Sequence, residues 1–233
     1  PAKPIISNLH RKILSRVEKG DTLATFNYDT IIEESMPISS SSWTPREGYG
    51  IDVTGVKKGW AKKWFDSHKI EEGTKSEIKL LKLHGSINWR LYKNNKVTLK
   101  ARPYAVKGKK GKPDFENSAF VPPGWHKRVN RQPYSTIWRK ARLEFDRCKT
   151  LVIVGYSLPD TDLIARALFL EVARRRASAG KFLKELHVAD VSEITQRKII
   201  DVLLPALGPE GKVFRYGDAL ELATSWSEPK KKS

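Results

Sequence analysis

Leu151-Val152-Ile153-Val154-Gly155-Tyr156-Ser157-Leu158-Pro159-Asp160 is the stretch whose reading decides the fold. Its first four residues form a continuous apolar run, as expected of a strand whose sheet is covered on both faces. Gly155 to Asp160 then turn the chain into a helix expected from Thr161 to Ser178, with Gly180 as its stop. Leu186 to Ala189 repeat the pattern, ending at Asp190, and Ser192 can cap the helix that follows. Val213 to Tyr216 form a third strand, and Gly217-Asp218 open a short last helix. Strand and helix alternating at this spacing imply right-handed crossovers and a parallel sheet. The expected class is therefore α/β: a Rossmann-like parallel sheet with helices on both faces, of which residues 150–226 supply a βαβαβ half.

Upstream the same unit recurs twice. Leu23 to Phe26 lead into Asn27-Tyr28-Asp29 and then a helix starting near Thr30, while Ile78 to Leu83 lead into His84-Gly85-Ser86. Before these, Ile5, Leu9, Ile13, Leu14 and Val17 share one helical face. From residue 36 to 76 the periodicity fails. A serine run and the aromatics Trp43, Tyr49, Trp60, Trp64 and Phe65 suggest an irregular or small helical insertion, with the aromatics in a core or on a binding platform. A second insertion, residues 89–133, reads as a hairpin turning at Lys93-Asn94-Asn95-Lys96, followed by a basic loop. Helix resumes near Ser135, and 1–233 as a whole is expected to be one domain.

Composition narrows the setting. A single cysteine, Cys148, excludes an internal disulfide and a thiolate zinc cluster, so no metal is expected. No apolar run is long enough for a membrane span, no export leader is seen, and a reducing, cytoplasmic location is expected. The net charge of +18 arises from 44 Lys and Arg against 26 Asp and Glu. It is spread over Lys57, Lys58, Lys62 and Lys63, then Lys107 to Lys112, Arg174 to Arg176 and Lys230 to Lys232. Such charge is either solvated surface or a site for nucleic acid or another anionic partner.

Four strand ends carry small or polar residues: Asn27 with Asp29, His84 with Gly85 and Ser86, Gly155 with Ser157, and Asp190. In an open parallel sheet, ligands bind beyond the carboxyl ends of the strands. A histidine or a Gly-x-Ser turn in such a place is often structural; four such ends together point to a site.

Thr25-Phe26-Asn27-Tyr28-Asp29 resembles the Thr-x-Asn-x-Asp motif of sirtuins and of the bacterial SIR2-like family, and Leu83-His84-Gly85-Ser86 resembles that family's His-Gly motif. Gly155-Tyr156-Ser157-Leu158-Pro159 followed by Asp162 is similar to the form found in the SIR2-like branch, the antiphage-defence type, rather than in sirtuin deacylases. Pro122-Pro123 through Trp138, leading by an amphipathic helix into that strand, fits the same branch. The sirtuin zinc cysteines are missing.

The resemblance implies that NAD is the substrate and that its nicotinamide–ribose bond is cleaved. It makes Asn27 the residue that holds the ribose and the attacking water, and His84 the catalytic base. Thr25 and Asp29 belong to the same NAD-binding motif, with Asp29 near the nicotinamide amide, and Gly85 to the His-Gly motif. Gly155 and Ser157 would contact phosphate and ribose, Asp190 the adenosine ribose, and Gly217 and Asp218 would lie beside adenine. The chemistry is coherent, because cleavage builds positive charge on the ribose and a neutral imidazole can take a proton near pH 7.

The family's Gly-Ala-Gly turn, which cradles pyrophosphate at a helix N-terminus, has no counterpart before Asn27. The chain begins at Pro1 already inside a helical pattern. An N-terminal segment, the phosphate loop included, is therefore expected to be missing, leaving one position of the sheet unfilled. Three functions follow as expectations: an NAD glycohydrolase depleting NAD in defence, a module that binds NAD or ADP-ribose without turnover, and a basic nucleic-acid-binding scaffold. An activating partner chain and a homo-oligomer are compatible with each.

Overall fold

Parallel strands joined through helices recur along the chain, as its apolar runs imply. The computed structural model describes residues 7–36, 43–56, 76–91, 95–99, 118–121 and 130–226. The chain divides into two compact units, Pro1–Ala141 and Arg142–Ser233.

The first unit opens with α1 (Asn8–Leu14), capped by the Ser7 hydroxyl, which accepts from the His10 amide at 3.2 Å. β1 (Thr22–Thr25) leads to α2 (Ile31–Ser35) and then α3 (Pro45–Gly48), where Thr44 caps and Pro45 takes the first helical turn. β2 (Val53–Val56), β3 (Lys79–Lys82), β4 (Gly85–Leu91), β5 (Val97–Leu99) and β6 (Ser118–Phe120) complete its strands. β1 and β3 pair in parallel, with Thr25 opposite Lys82 at the last rung. The other four form a sheet in the order β2-β5-β4-β6. Leu80 and Leu81 point to opposite faces of β3 and both are fully buried, which explains the unbroken apolar run there. Trp43, Tyr49 and Trp89 stack edge-to-face in the core, with centroids 5.0–5.2 Å apart.

α4 (Tyr134–Arg147) carries the chain into the second unit. There β7 (Thr150–Val154), α5 (Leu163–Ser178), β8 (Leu183–Ala189), α6 (Glu193–Leu203), β9 (Leu207–Tyr216) and α7 (Ala219–Ser225) alternate. The strands form a parallel sheet in the order β7-β8-β9. Leu186 and Val188 of the central strand are fully buried. Asp162, Ser192 and Asp218 each cap the helix that follows, with the side-chain oxygen accepting an amide of the first turn.

Several sequence expectations need correction. Residues 36–76 contain a strand, β2, which pairs in parallel with β5, so this stretch is not simply irregular or helical. Short strands next to glycine carry too few residues for a periodicity to show. β6 is a further short strand within the second insertion, beyond the basic residues at 107–112. β9 begins at Leu207, six residues before the apolar run that signals it, because its exposed edge accepts Pro209, Glu210 and Lys212. Trp60, Trp64, Phe65, Pro122, Pro123 and the lysines at 57–63, 107–112 and 230–232 lie outside the described residues.

Arg176 also departs from expectation. It is 3% exposed, and its guanidinium donates through Nη1 to the carbonyls of Phe145 (2.9 Å) and Asp146 (2.5 Å) and through Nη2 to that of Cys148 (2.8 Å). The first two are among the last carbonyls of α4, which lack partners within their own helix, and the third belongs to the residue just past its end. Arg176 is thus a built-in cap and not part of a basic surface, and its neighbour Arg175 is paired with Asp146 at 3.0 Å. Arg176→Met is expected to destabilise the protein by about 3 kcal/mol, whereas Arg174→Met, at an exposed position, should change stability by less than about 0.5 kcal/mol. Denaturant unfolding of both variants checks the contrast. Among the described residues no helix is long and apolar enough to cross a membrane.

Candidate functional site

In the first unit, the ladder of β1 and β3 sets the level of the candidate residues. Asn27 and His84 each stand two residues beyond the Thr25–Lys82 rung, so both emerge at the same carboxyl rim. Leu83 extends the ladder by donating its amide to the Thr25 carbonyl at 2.9 Å. Thr25 turns inward and its hydroxyl accepts the Asn27 amide at 3.1 Å, which bends the chain and leaves Asn27 exposed. The Asp29 carboxylate accepts the Ile31 amide at 3.0 Å and so starts α2. The Tyr28 carbonyl receives the Ile87 amide (3.0 Å) and the Ser86 hydroxyl (3.2 Å), stitching this tip to β4.

His84 does not sit at a free strand tip as the sequence suggests. It occupies a two-residue turn that passes straight into β4, and Gly85, at φ +80°, makes that turn in a backbone region that side chains disfavour. Trp138 fixes the turn by donating its indole N–H to the Leu83 carbonyl at 2.9 Å. The His84 ring is half-buried among Phe26, Tyr28 and Trp138, whose centroids lie 5.4, 6.1 and 6.1 Å away. Three aromatic rings thus flank the imidazole, which keeps an intermediate exposure.

Beneath the tip lies a group the sequence does not announce. Lys82 is 1% exposed and its ammonium contacts the Glu33 carboxylate at 2.9 Å; Glu33 is 2% exposed. The same ammonium donates to the Asp29 carbonyl. The Tyr49 hydroxyl donates to the other face of the network, reaching Glu33 Oε1 at 2.8 Å. Burial, followed by the Glu33 charge, pushes the Tyr49 hydroxyl well above its ordinary value, so it remains a donor. The only hint in the sequence is a lysine between leucines in Leu80-Leu81-Lys82-Leu83.

In the second unit a parallel register does the same work. The last rungs run Val154–Ala189–Tyr216, so Gly155, Asp190 and Gly217 each stand one residue beyond them. Gly155 donates to the Ala189 carbonyl at 2.9 Å, and Asp190 to that of Tyr216 at 3.3 Å. Gly155 has φ +60° and open space where a Cβ would point, so a ligand can approach its backbone. Ser157 is exposed, while Leu158, at φ +46°, is 1% exposed and anchors the turn from below. Tyr156 donates its hydroxyl to Asp162 at 2.9 Å, tying the turn to the start of α5. Burial and then the Asp162 charge raise the Tyr156 pKa, which keeps that proton in place.

Asp190, Gly217 and Asp218 already have structural partners. Asp190 accepts the Ser192 amide at 2.8 Å, Asp218 caps α7, and the Gly217 amide donates to Glu221 at 2.5 Å. Gln196, which the sequence reading misses, donates its amide to the carbonyls of Asp190 (2.7 Å) and Tyr216 (2.9 Å) and locks these two strand ends together. Burial first of all pushes the Cys148 thiol up to about 11. Because the thiolate is the reactive form, alkylation at pH 8 should be about 100-fold slower than for an ordinary cysteine and should rise as the pH approaches 11; a rate equal to that of free cysteine would contradict this. Among the described residues, no group of three or more His, Cys, Asp or Glu side chains could hold a metal ion.

A family model described as SIR2-like domain matches residues 21–183. No curated protein matches the chain. The match takes in the Asn27 tip, the His84 turn and the Gly155 turn, and ends before Asp190. Domains of this family bind NAD as substrate, and the family is typically one of NAD-dependent enzymes. With more than half of its length matched and both sheet rims inside or beside the match, this chain belongs to the SIR2-like domain family.

Proposed function

We propose that the protein is an NAD glycohydrolase, which splits NAD into nicotinamide and ADP-ribose. The observation that carries this reading is the placement of an exposed amide, Asn27, and a half-buried imidazole, His84, two residues beyond the same rung of a parallel strand pair. In the first unit Asn27 offers an amide suited to sugar hydroxyls; in the second, taken by itself, the Gly155 turn offers an unobstructed backbone and Ser157 an exposed hydroxyl.

In this reading Asn27 holds the ribose and orients a water. His84 takes a proton from that water or from a ribose hydroxyl, as a neutral imidazole can near pH 7. Positive charge develops on the ribose as the bond to nicotinamide breaks. The nicotinamide ring is already cationic in NAD, so its departure needs little acid assistance. Asp29 stands nearest the nicotinamide amide, with Thr25 shaping the same tip and Gly85 giving the His84 turn room. Ser157 and Gly155 take phosphate and ribose, and Asp190, Gly217 and Asp218 border the adenosine.

The motif Gly155-Tyr156-Ser157-Leu158-Pro159 with Asp162 supports the branch that acts in antiphage defence. Depletion of cellular NAD on activation would be its output, in the cytoplasm where NAD is abundant. Chromatography of intact protein incubated with NAD tests the activity: release of nicotinamide supports it, and retention of unchanged NAD on the protein would make it a binding module instead. The net charge of +18 favours a second, anionic partner such as nucleic acid. That contact would weaken steeply with salt.

A further inference from the structure

The buried Lys82–Glu33 pair has no place in the chemistry above, although it lies directly under the candidate residues. Lys82 sits at the final rung of β3, opposite Thr25, and both ionised ends of the pair are withdrawn from water. A buried ion pair is poor evidence of a stability device, since apolar residues of similar size serve a core as well or better. The pair here is more than a closed couple. The ammonium reaches past Glu33 to the main-chain carbonyl of Asp29, the residue that ends the Asn27-Tyr28-Asp29 tip and starts α2. Glu33 lies on α2 itself, one turn further along, and receives the Tyr49 hydroxyl from the opposite side. Glu33 Oε2, the second carboxylate oxygen, has no hydrogen-bond partner among the described residues, so the carboxylate is held by these two donors at a single oxygen.

We infer that Lys82 and Glu33 are positioning residues, which hold the Asn27–Asp29 tip at a fixed height above the sheet through the Asp29 carbonyl. The geometry supports this in two ways. The tip's other anchors act on Tyr28 and on the amides of Asn27 and Ile31, leaving the Asp29 carbonyl to Lys82. The donor is also a cation, and a charge-assisted hydrogen bond in a dry interior is stronger and better directed than a neutral one. Tyr49 extends the network toward Trp43 and Trp89, so the tip's position is referred to the aromatic core of the first unit.

For turnover this inference rests on the glycohydrolase reading; for structure it does not. The test uses the intact protein carrying Lys82→Met with Glu33→Gln. This pair removes both charges together, keeps an acceptor for Tyr49 and leaves the Asp29 carbonyl without its donor. Amide hydrogen exchange at Asn27 and Ile31 is expected to quicken by about tenfold while α5 and β8 keep wild-type protection, because the tip opens locally. The kcat for nicotinamide release is expected to fall by about tenfold or more, as small displacements of reacting groups do. KM should move less than about threefold, since most substrate contacts lie on other segments. Should the variant melt below the assay temperature, Lys82→Met/Glu33→Met/Tyr49→Phe removes the network without stranding any of its polar side chains, and again leaves the Asp29 carbonyl without its donor. Wild-type exchange at Asn27 and Ile31 in the folded variant would overturn the inference, whatever its activity. Absence of nicotinamide release from the wild type would instead sink the glycohydrolase reading, and exchange alone would then decide the role of Lys82.

Discussion

His84→Ala and Asn27→Ala are each expected to lower nicotinamide release by about 10²-fold or more, the usual scale for losing a positioned acid–base or orienting group. The expectation follows from their shared level at the β1–β3 rim, two residues past Thr25 and Lys82. Neither change should harm the fold much. Asn27 is exposed and its side chain is not what bends the tip; that is done by the Thr25 hydroxyl on the Asn27 amide. His84→Ala leaves Trp138 on the Leu83 carbonyl and Gly85 in its turn. Loss of turnover with an unchanged melting temperature is thus the expected pair of results. Near-normal turnover in both variants would remove these residues from the reaction.

Lys82→Met by itself has the largest expected effect on stability. It strands Glu33, 2% exposed, as a buried carboxylate with only the Tyr49 hydroxyl for company. Breaking a buried pair from one side costs about 3–5 kcal/mol. Adding Glu33→Gln should recover most of that loss, because no uncompensated charge then remains. Unfolding curves for the two single variants and the double give the coupling between the residues. A single variant as stable as wild type would mean that the pair is hydrated or that Glu33 is already neutral.

Much of this was legible in the sequence, and the reasons are physical. Leu186 to Ala189 are buried throughout at the centre of a parallel sheet, and Leu151 to Val154 pair beside them with Ile153 buried, so the strands and the polar residues beyond them could be named together. The Ser192 cap was readable because an N-cap side chain acts on amides only three residues away. β2 and β6 were not readable, since each is short and is stabilised by partners distant in the chain. The Lys82–Glu33 pair spans 49 residues, and no local pattern announces it. Arg176 looked like surface charge because it stands in a run of three arginines. Only the fold brings it to the end of α4. Contacts made across long stretches of chain were hidden; those made within one turn were not.

The central claim is that the site adds water across the nicotinamide–ribose bond. It is tested most directly by incubating the intact protein with NAD in ¹⁸O-labelled water and weighing the products. The account predicts free nicotinamide and ADP-ribose carrying one labelled oxygen, both formed in the wild type and largely lost in His84→Ala. Unaltered NAD, or ADP-ribose delivered to an acceptor other than water, would contradict it.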